Sequence, residues 1–420
     1  MALEGLHFES RPVRKATLPF FYTAPLALVV MGALMATWGV QALSTPWSSH
    51  TLALTHVFTL GFLTMSCLGL VYLLLAILGS KPTVPMWVSH TVYWLLLVGS
   101  GGLVWGTAQS NPGSVSVAIS FVGSMAILFL WYASRALRRA TVQGMTRRGL
   151  TLALWGFFGL AFLGVWIAHG HAGMRFPGPR ALWTQSHAMV GLLAWVGALV
   201  ITFSCEVWPR IQGGRSLPPR VLDWLAGLIA LGGVSLLATL FSAYFFLPYE
   251  DAVALEPWVV VFFSPMVLAV WLLHPWWALR SLRGVPENGG LLFWRTGLGL
   301  GPLVVLAGGV AWFLGEPRLV ILFGWLALYG WAGLLICGAL VGATRPLVVS
   351  SSEGQASSRE VWLRVSFMVH LAGLMMGGVG IVSQRDDWVR AAGVLVLIHG
   401  VELALGLLKN LRAPSPARIS

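Results

Sequence analysis

Long apolar runs alternate with short polar breaks along this chain, and the alternation occurs twelve times. The runs cover roughly residues 18–41, 50–78, 85–106, 113–134, 150–168, 185–208, 220–247, 256–279, 290–314, 318–344, 361–383 and 388–410. A helix of about 20 apolar residues spans a hydrocarbon core of ~30 Å. Backbone groups in lipid must be satisfied within their own segment, so the pattern predicts helices. The expected fold is all-α: a polytopic integral membrane protein of about twelve transmembrane helices. It has a tail over residues 1–17, one membrane domain over 18–410 and a second tail over 411–420. The first apolar run is too long for a signal peptide and lacks a small-residue cleavage site, so it reads as an uncleaved span. No convincing repeat relates the two halves, so the inverted-repeat signature of many transporters is not visible.

Charge orients this pattern. Only 10% of the 420 residues are charged while 57% are hydrophobic, and the net charge is +12. With twelve spans both termini share one side, and 21 of the 26 Lys and Arg fall there. Only Arg175, Arg180, Arg318, Arg385 and Arg390 fall on the other. Positive charge marks the cytoplasmic side, so both termini are expected there. The basic residues then serve topology and anionic headgroups, and nucleic acid is excluded as a partner. The longest breaks are 135–149, 209–219 and 345–360, and the last reads as a flexible linker. The 22 Trp and 49 Gly suit interfacial belts and close helix packing. Cys67, Cys205 and Cys337 lie far apart inside apolar runs and form neither a disulfide framework nor a zinc ribbon.

The histidines carry the candidate chemistry, because an imidazole inside an apolar span needs a partner. On this topology His56 (helix 2) and His187 (helix 6) lie within roughly 10 Å of the outer boundary, counted at ~1.5 Å per residue. His50, His169 and His171 gather near the same face. His90 and His274 fall towards the cytoplasmic side with cheap access to the interface. His370 (helix 11) and His399 (helix 12) are deeper, roughly 15–20 Å from the outer surface. Glu402 follows His399 at i+3 on one helix face. It is a proton-relay carboxylate or a partner of His399 or Arg364. Neutral imidazole is a common ligand of haem iron and copper, but a membrane histidine can also simply bond a neighbouring helix. For a flat ring, Gly61, Gly69 and Phe62 on helix 2, and Gly191, Gly197 and Trp195 on helix 6, offer material for a slot. Met65, Met375 and Met376 read as packing.

Four stretches carry a resemblance: LPFFYTAP (Leu18 to Pro25), THVFTLGFLTM (Thr55 to Met65), SHAMVGLLAWVG (Ser186 to Gly197) and GWLALYGW (Gly324 to Trp331). Together they resemble the NnrS group of twelve-helix, haem- and copper-containing bacterial membrane proteins. More distantly, the chain is similar to subunit I of the haem–copper oxidases. The resemblance implies an oxidase-subunit-I-like bundle in a bacterial inner membrane. It implies haem of b type, with copper as the second candidate, and His56 as the haem ligand with His187 as the copper ligand. His370 and His399 form a reserve pair of cofactor ligands. The departures exclude a full oxygen-reducing centre: there is no His-His pair, helix 10 has no histidine, and the single His-x-His (His169 and His171) is on the wrong helix. No catalytic residue is assigned. The expected role is nitric oxide stress response, respiratory redox chemistry or metal handling, with the bilayer and other respiratory or cytochrome subunits as partners. Two alternatives belong to other classes. One is a proton-coupled transporter using Glu402 with His399; the other is a cofactor-free scaffold of a respiratory complex.

Overall fold

The computed structural model describes residues 11–78, 84–140, 144–173, 178–212, 214–344 and 353–412. Among the described residues there are twelve helices long and apolar enough to cross a membrane, and no strand. They are α1 (Lys15–Leu43), α2 (Ser49–Ala76), α3 (Met86–Ala108), α4 (Pro112–Arg139), α5 (Thr146–His171) and α6 (Arg180–Cys205). They continue with α7 (Pro219–Phe245), α8 (Tyr249–Ser281), α9 (Gly289–Leu314), α10 (Pro317–Gly342), α11 (Ser358–Ser383) and α12 (Asp386–Lys409). The protein is thus all-α and multi-pass, with helices built for contact with lipid. Residues 1–10 and 413–420 of the expected tails lie outside the described residues, as do Lys81, Arg175, Arg345 and Arg418 of the charge count.

Helix ends extend past several expected boundaries, for electrostatic reasons. Arg138 and Arg139, expected in a loop, form the last turn of α4. Cationic side chains there face the partial negative charge of the helix carboxyl end. At the other end of α4, the Asn111 side chain accepts from Ser114 N–H and Pro112 opens the first turn. The helix that contains α11 begins at Glu353, inside the stretch expected to be a linker.

The chain divides into two compact units. One comprises Met1–Tyr93 with Gly284–Ser420, and the other Trp94–Arg283. In the first unit α2 is the most enclosed helix, with 83% of its apolar window buried, followed by α10 with 61%. The first and last spans of the chain meet here through glycine. A Cβ on Gly393 would stand 2.5 Å from Ala36 N, and one on Gly400 would stand 2.8 Å from Val29 N. Backbone against backbone at this range is possible only without side chains, which is how small residues stabilise helix pairs in lipid. In the second unit α6 is enclosed, with 89% of its window buried. A Cβ on Gly156 of α5 would collide with the Ala194 carbonyl of α6.

Among the described residues the regularity of four spans is broken by five wider, π-helical stretches. These are Val57–Thr64 in α2, Val190–Gly197 and Phe203–Val207 in and just beyond α6, Leu268–Leu273 in α8 and Leu326–Ala332 in α10. Such turns are uncommon and concentrate at functional sites. The tryptophans also depart from a purely interfacial role. Trp87, Trp105, Trp131 and Trp224 are exposed, but Trp195, Trp208, Trp271, Trp294 and Trp331 are wholly enclosed.

Candidate metal centre

The site forms in the first unit, where α10, α11 and α12 each contribute one side chain. A tight turn, with Gln384 at φ +54°, joins α11 to α12 and makes them an antiparallel pair. His370 and His399 are the same number of residues from that turn, so they meet at one level. The turn is tied down: Asp386 Oδ1 accepts Val40 N–H at 2.8 Å, and Arg390 donates to the Ala36 and Thr37 carbonyls at 2.7 and 2.8 Å. Each histidine lies about halfway along its span.

His370 Nδ1 and His399 Nε2 are 3.1 Å apart. Cys337 Sγ lies 3.6 Å from the same His399 Nε2. One ligand atom from each of Cys337, His370 and His399 lies within 4.8 Å of the other two. All three residues are buried, none more than 1% exposed. Donors bound about 2.0–2.3 Å from one metal stand ~3–4 Å apart, a range that holds both spacings to His399 Nε2.

The remaining ring nitrogens are also committed. His370 Nε2 lies 3.0 Å from the Tyr329 carbonyl, which can only accept, so this nitrogen carries the hydrogen. The carbonyl is available because α10 widens at this point. Gly333 N–H bonds to Leu328 O, five residues back, rather than to Tyr329 O, four back. His399 Nδ1 lies 3.1 Å from Ser366 Oγ. Ser366 is one helical turn from His370 on α11, so both project to the same face. A ligating histidine whose second nitrogen is held by a carbonyl or hydroxyl is the standard support for a metal.

The same groups close a hydrogen-bond chain without an ion. With both rings neutral, Ser366 donates to His399 Nδ1, His399 Nε2–H to His370 Nδ1, and His370 Nε2–H to Tyr329 O. Filling the centre then requires one tautomer shift, at His399, so that Nδ1–H donates to Ser366 and Nε2 is freed.

The walls are aromatic. The Tyr329 ring lies parallel to His370 with centroids 4.1 Å apart, and Trp325 stacks beyond it at 4.6 Å. Phe293 is 6.1 Å from each imidazole. Tyr329 Oη is buried without a hydrogen-bond partner among the described residues.

The other sequence candidates are not members of this cluster. His56, half-buried at the entry to the wide turn of α2, donates Nδ1–H to Leu52 O at 2.7 Å. That arrangement leaves its Nε2 facing away from its own helix. His187 belongs to the second unit, where its Nδ1 donates to Leu160 O at 3.2 Å. The glycines expected to admit a flat ring are filled by neighbours. A Cβ on Gly61 would stand 2.8 Å from the Ala27 methyl, and one on Gly69 would stand 2.7 Å from Phe21. At Gly191 and Gly197 the neighbours are Leu160 and Val270, each at 2.9 Å. These glycines serve helix packing.

His50 packs edge-on against Trp38, and His169 donates to Val165 O. His90 lies against Lys15 O. His274, expected near an interface, is instead fully enclosed, with Nε2 2.8 Å from Ser204 Oγ. Glu402 is half-buried and its Oε2 has no hydrogen-bond partner among the described residues. Arg364 pairs with Glu360 at 3.0 Å, and Glu402 does not join the cluster.

Sequence reasoning missed Cys337, Ser366 and the Tyr329 carbonyl. Cys337 has no neighbouring cysteine to mark it, although its place deep in an apolar run is the same signal that singles out the histidines. Compared with protein-family models and with curated proteins, the chain matches none.

Proposed function

We propose that this protein is a bacterial inner-membrane metalloprotein that holds a transition metal, copper or the iron of haem, inside its helical bundle. Its role is respiratory redox chemistry, nitric oxide stress response or metal handling, without oxygen reduction. The observation that carries the reading is the Cys337, His370 and His399 cluster, three buried donors whose supporting bonds are already in place. The side chains can bond one another, so what points to a metal is the convergence of one sulfur and two nitrogen donors at mid-span, which a single ion would use together. The resemblance to the NnrS group supports a metal-dependent role.

Elemental analysis of the detergent-purified full chain tests this directly. About one transition-metal ion per chain is expected, lost in Cys337→Ala, His370→Ala and His399→Ala. A folded wild-type protein that holds no metal, even after incubation with copper, iron or zinc under reducing conditions, refutes the proposal.

Haem is the second form of this reading, favoured by the Nδ1–H bond that turns His56 Nε2 away from its own helix. An iron-porphyrin absorbance lost in His56→Ala would select it; its absence in protein expressed with haem supplied would remove it.

A further inference from the structure

We infer that the Cys337, His370 and His399 centre selects monovalent copper over zinc and other divalent ions. This rests on the proposal that the cluster binds a metal. Three features of the site carry the selection.

The first is donor number. Among the described residues the group contains three Cys, His, Asp or Glu donors and no fourth. A closed zinc site takes four protein ligands in a tetrahedron, and zinc on three protein ligands needs a water in the fourth position, here at mid-span among aromatic walls. Copper(I) has no such requirement and favours thiolate and imidazole, the two donor types present.

The second feature is charge. Cysteine binds metal as the thiolate, so the ligand set carries one negative charge with both imidazoles neutral. A monovalent ion brings the centre to zero. A divalent ion leaves one uncompensated positive charge at mid-span, among Tyr329, Phe293 and the flanking apolar side chains. Among the described residues the group itself holds no carboxylate to offset it. Glu402 is outside the group, and Glu360 is engaged with Arg364. An unpaired charge in a low-dielectric interior is expensive, whereas a neutral ion–thiolate unit is not.

The third feature is the fixed orientation of the rings. The Tyr329 carbonyl holds His370 with its Nδ1 lone pair towards His399 Nε2, and Ser366 can accept Nδ1–H of His399. Two nitrogens and one sulfur therefore converge before any ion arrives.

The test uses the full-length protein in detergent, stripped of metal and kept reduced. Copper(I) is titrated against a chromophoric copper(I) chelator, and zinc(II) is titrated separately and in competition. One copper(I) per chain is expected, with zinc unable to displace it at 100-fold excess. Cys337→Ser should weaken copper(I) binding by at least 100-fold. X-ray absorption at the copper edge of the wild-type protein gives a readout that needs no variant: one sulfur and two nitrogen scatterers are expected. A shell of nitrogen and oxygen only overturns the assignment. Zinc that binds the same residues as tightly as copper(I) overturns the selectivity but leaves the metal site standing. If neither ion binds at these residues, both the selectivity and the metal-site proposal fail.

Discussion

Ser366→Ala separates a supporting bond from the ligands themselves. Ser366 touches no metal; it holds His399 Nδ1 at 3.1 Å, and both residues are buried, with 1% and 0% exposure. Removing the hydroxyl takes one partner from a buried ring nitrogen, which the Ser366 main chain also bonds, and costs about 1 kcal/mol of stability. It also frees the His399 ring to rotate and to keep the wrong tautomer. Loss of such a partner lowers metal affinity by roughly 10–100-fold, equivalent to about 1.4–2.8 kcal/mol at 1.4 kcal/mol per decade. The two effects are read separately. Thermal unfolding of the metal-free protein in detergent reports the first, and the chelator competition reports the second. Ser366→Thr retains the oxygen and should restore most of the affinity, whatever its added methyl does to stability. If Ser366→Ala binds copper(I) as tightly as the wild type and melts at the same temperature, the Ser366–His399 bond does not organise the centre and the reasoning is wrong.

Other outcomes follow from the packing. Gly393→Ala places a Cβ 2.5 Å from Ala36 N, so α12 must move away from α1. Overpacking of this kind costs about 1–3 kcal/mol, and because α12 carries His399, metal content should fall together with the melting temperature. Gly299→Ala, where nothing lies within 4 Å of the new Cβ, is the matched control and should melt at or above the wild-type temperature. Tyr329→Phe removes a buried hydroxyl without a partner and keeps both the ring stack and the carbonyl that holds His370. It should be neutral or stabilising by about 1 kcal/mol, with metal binding unchanged; loss of metal in this variant would make the hydroxyl a ligand.

The number of spans was legible in the sequence, because each apolar run is a local property of about 20 residues. The shared level of His370 and His399 was legible too. Helical rise is constant, and the short link between α11 and α12 forces an antiparallel pair, so the equal spacing of His370 and His399 from that turn already put them at one level. What rotation about each helix axis does was not legible. Cys337 reaches the pair only because α10 presents that face to α11 and α12, an outcome of long-range packing. The glycines make the same point: Gly61 and Gly69 looked like room for a flat ring, and the tertiary structure gave that room to Ala27 and Phe21. The wide turn of α10 is subtler still. Nothing in LALYGWA announces that Gly333 N–H will skip the Tyr329 carbonyl, yet that shift leaves the oxygen free to hold His370. The sequence by itself determined how many helices there are, since that depends on local apolarity over each run. Only the tertiary structure decided which faces meet, since that depends on side chains distant along the chain fitting against one another.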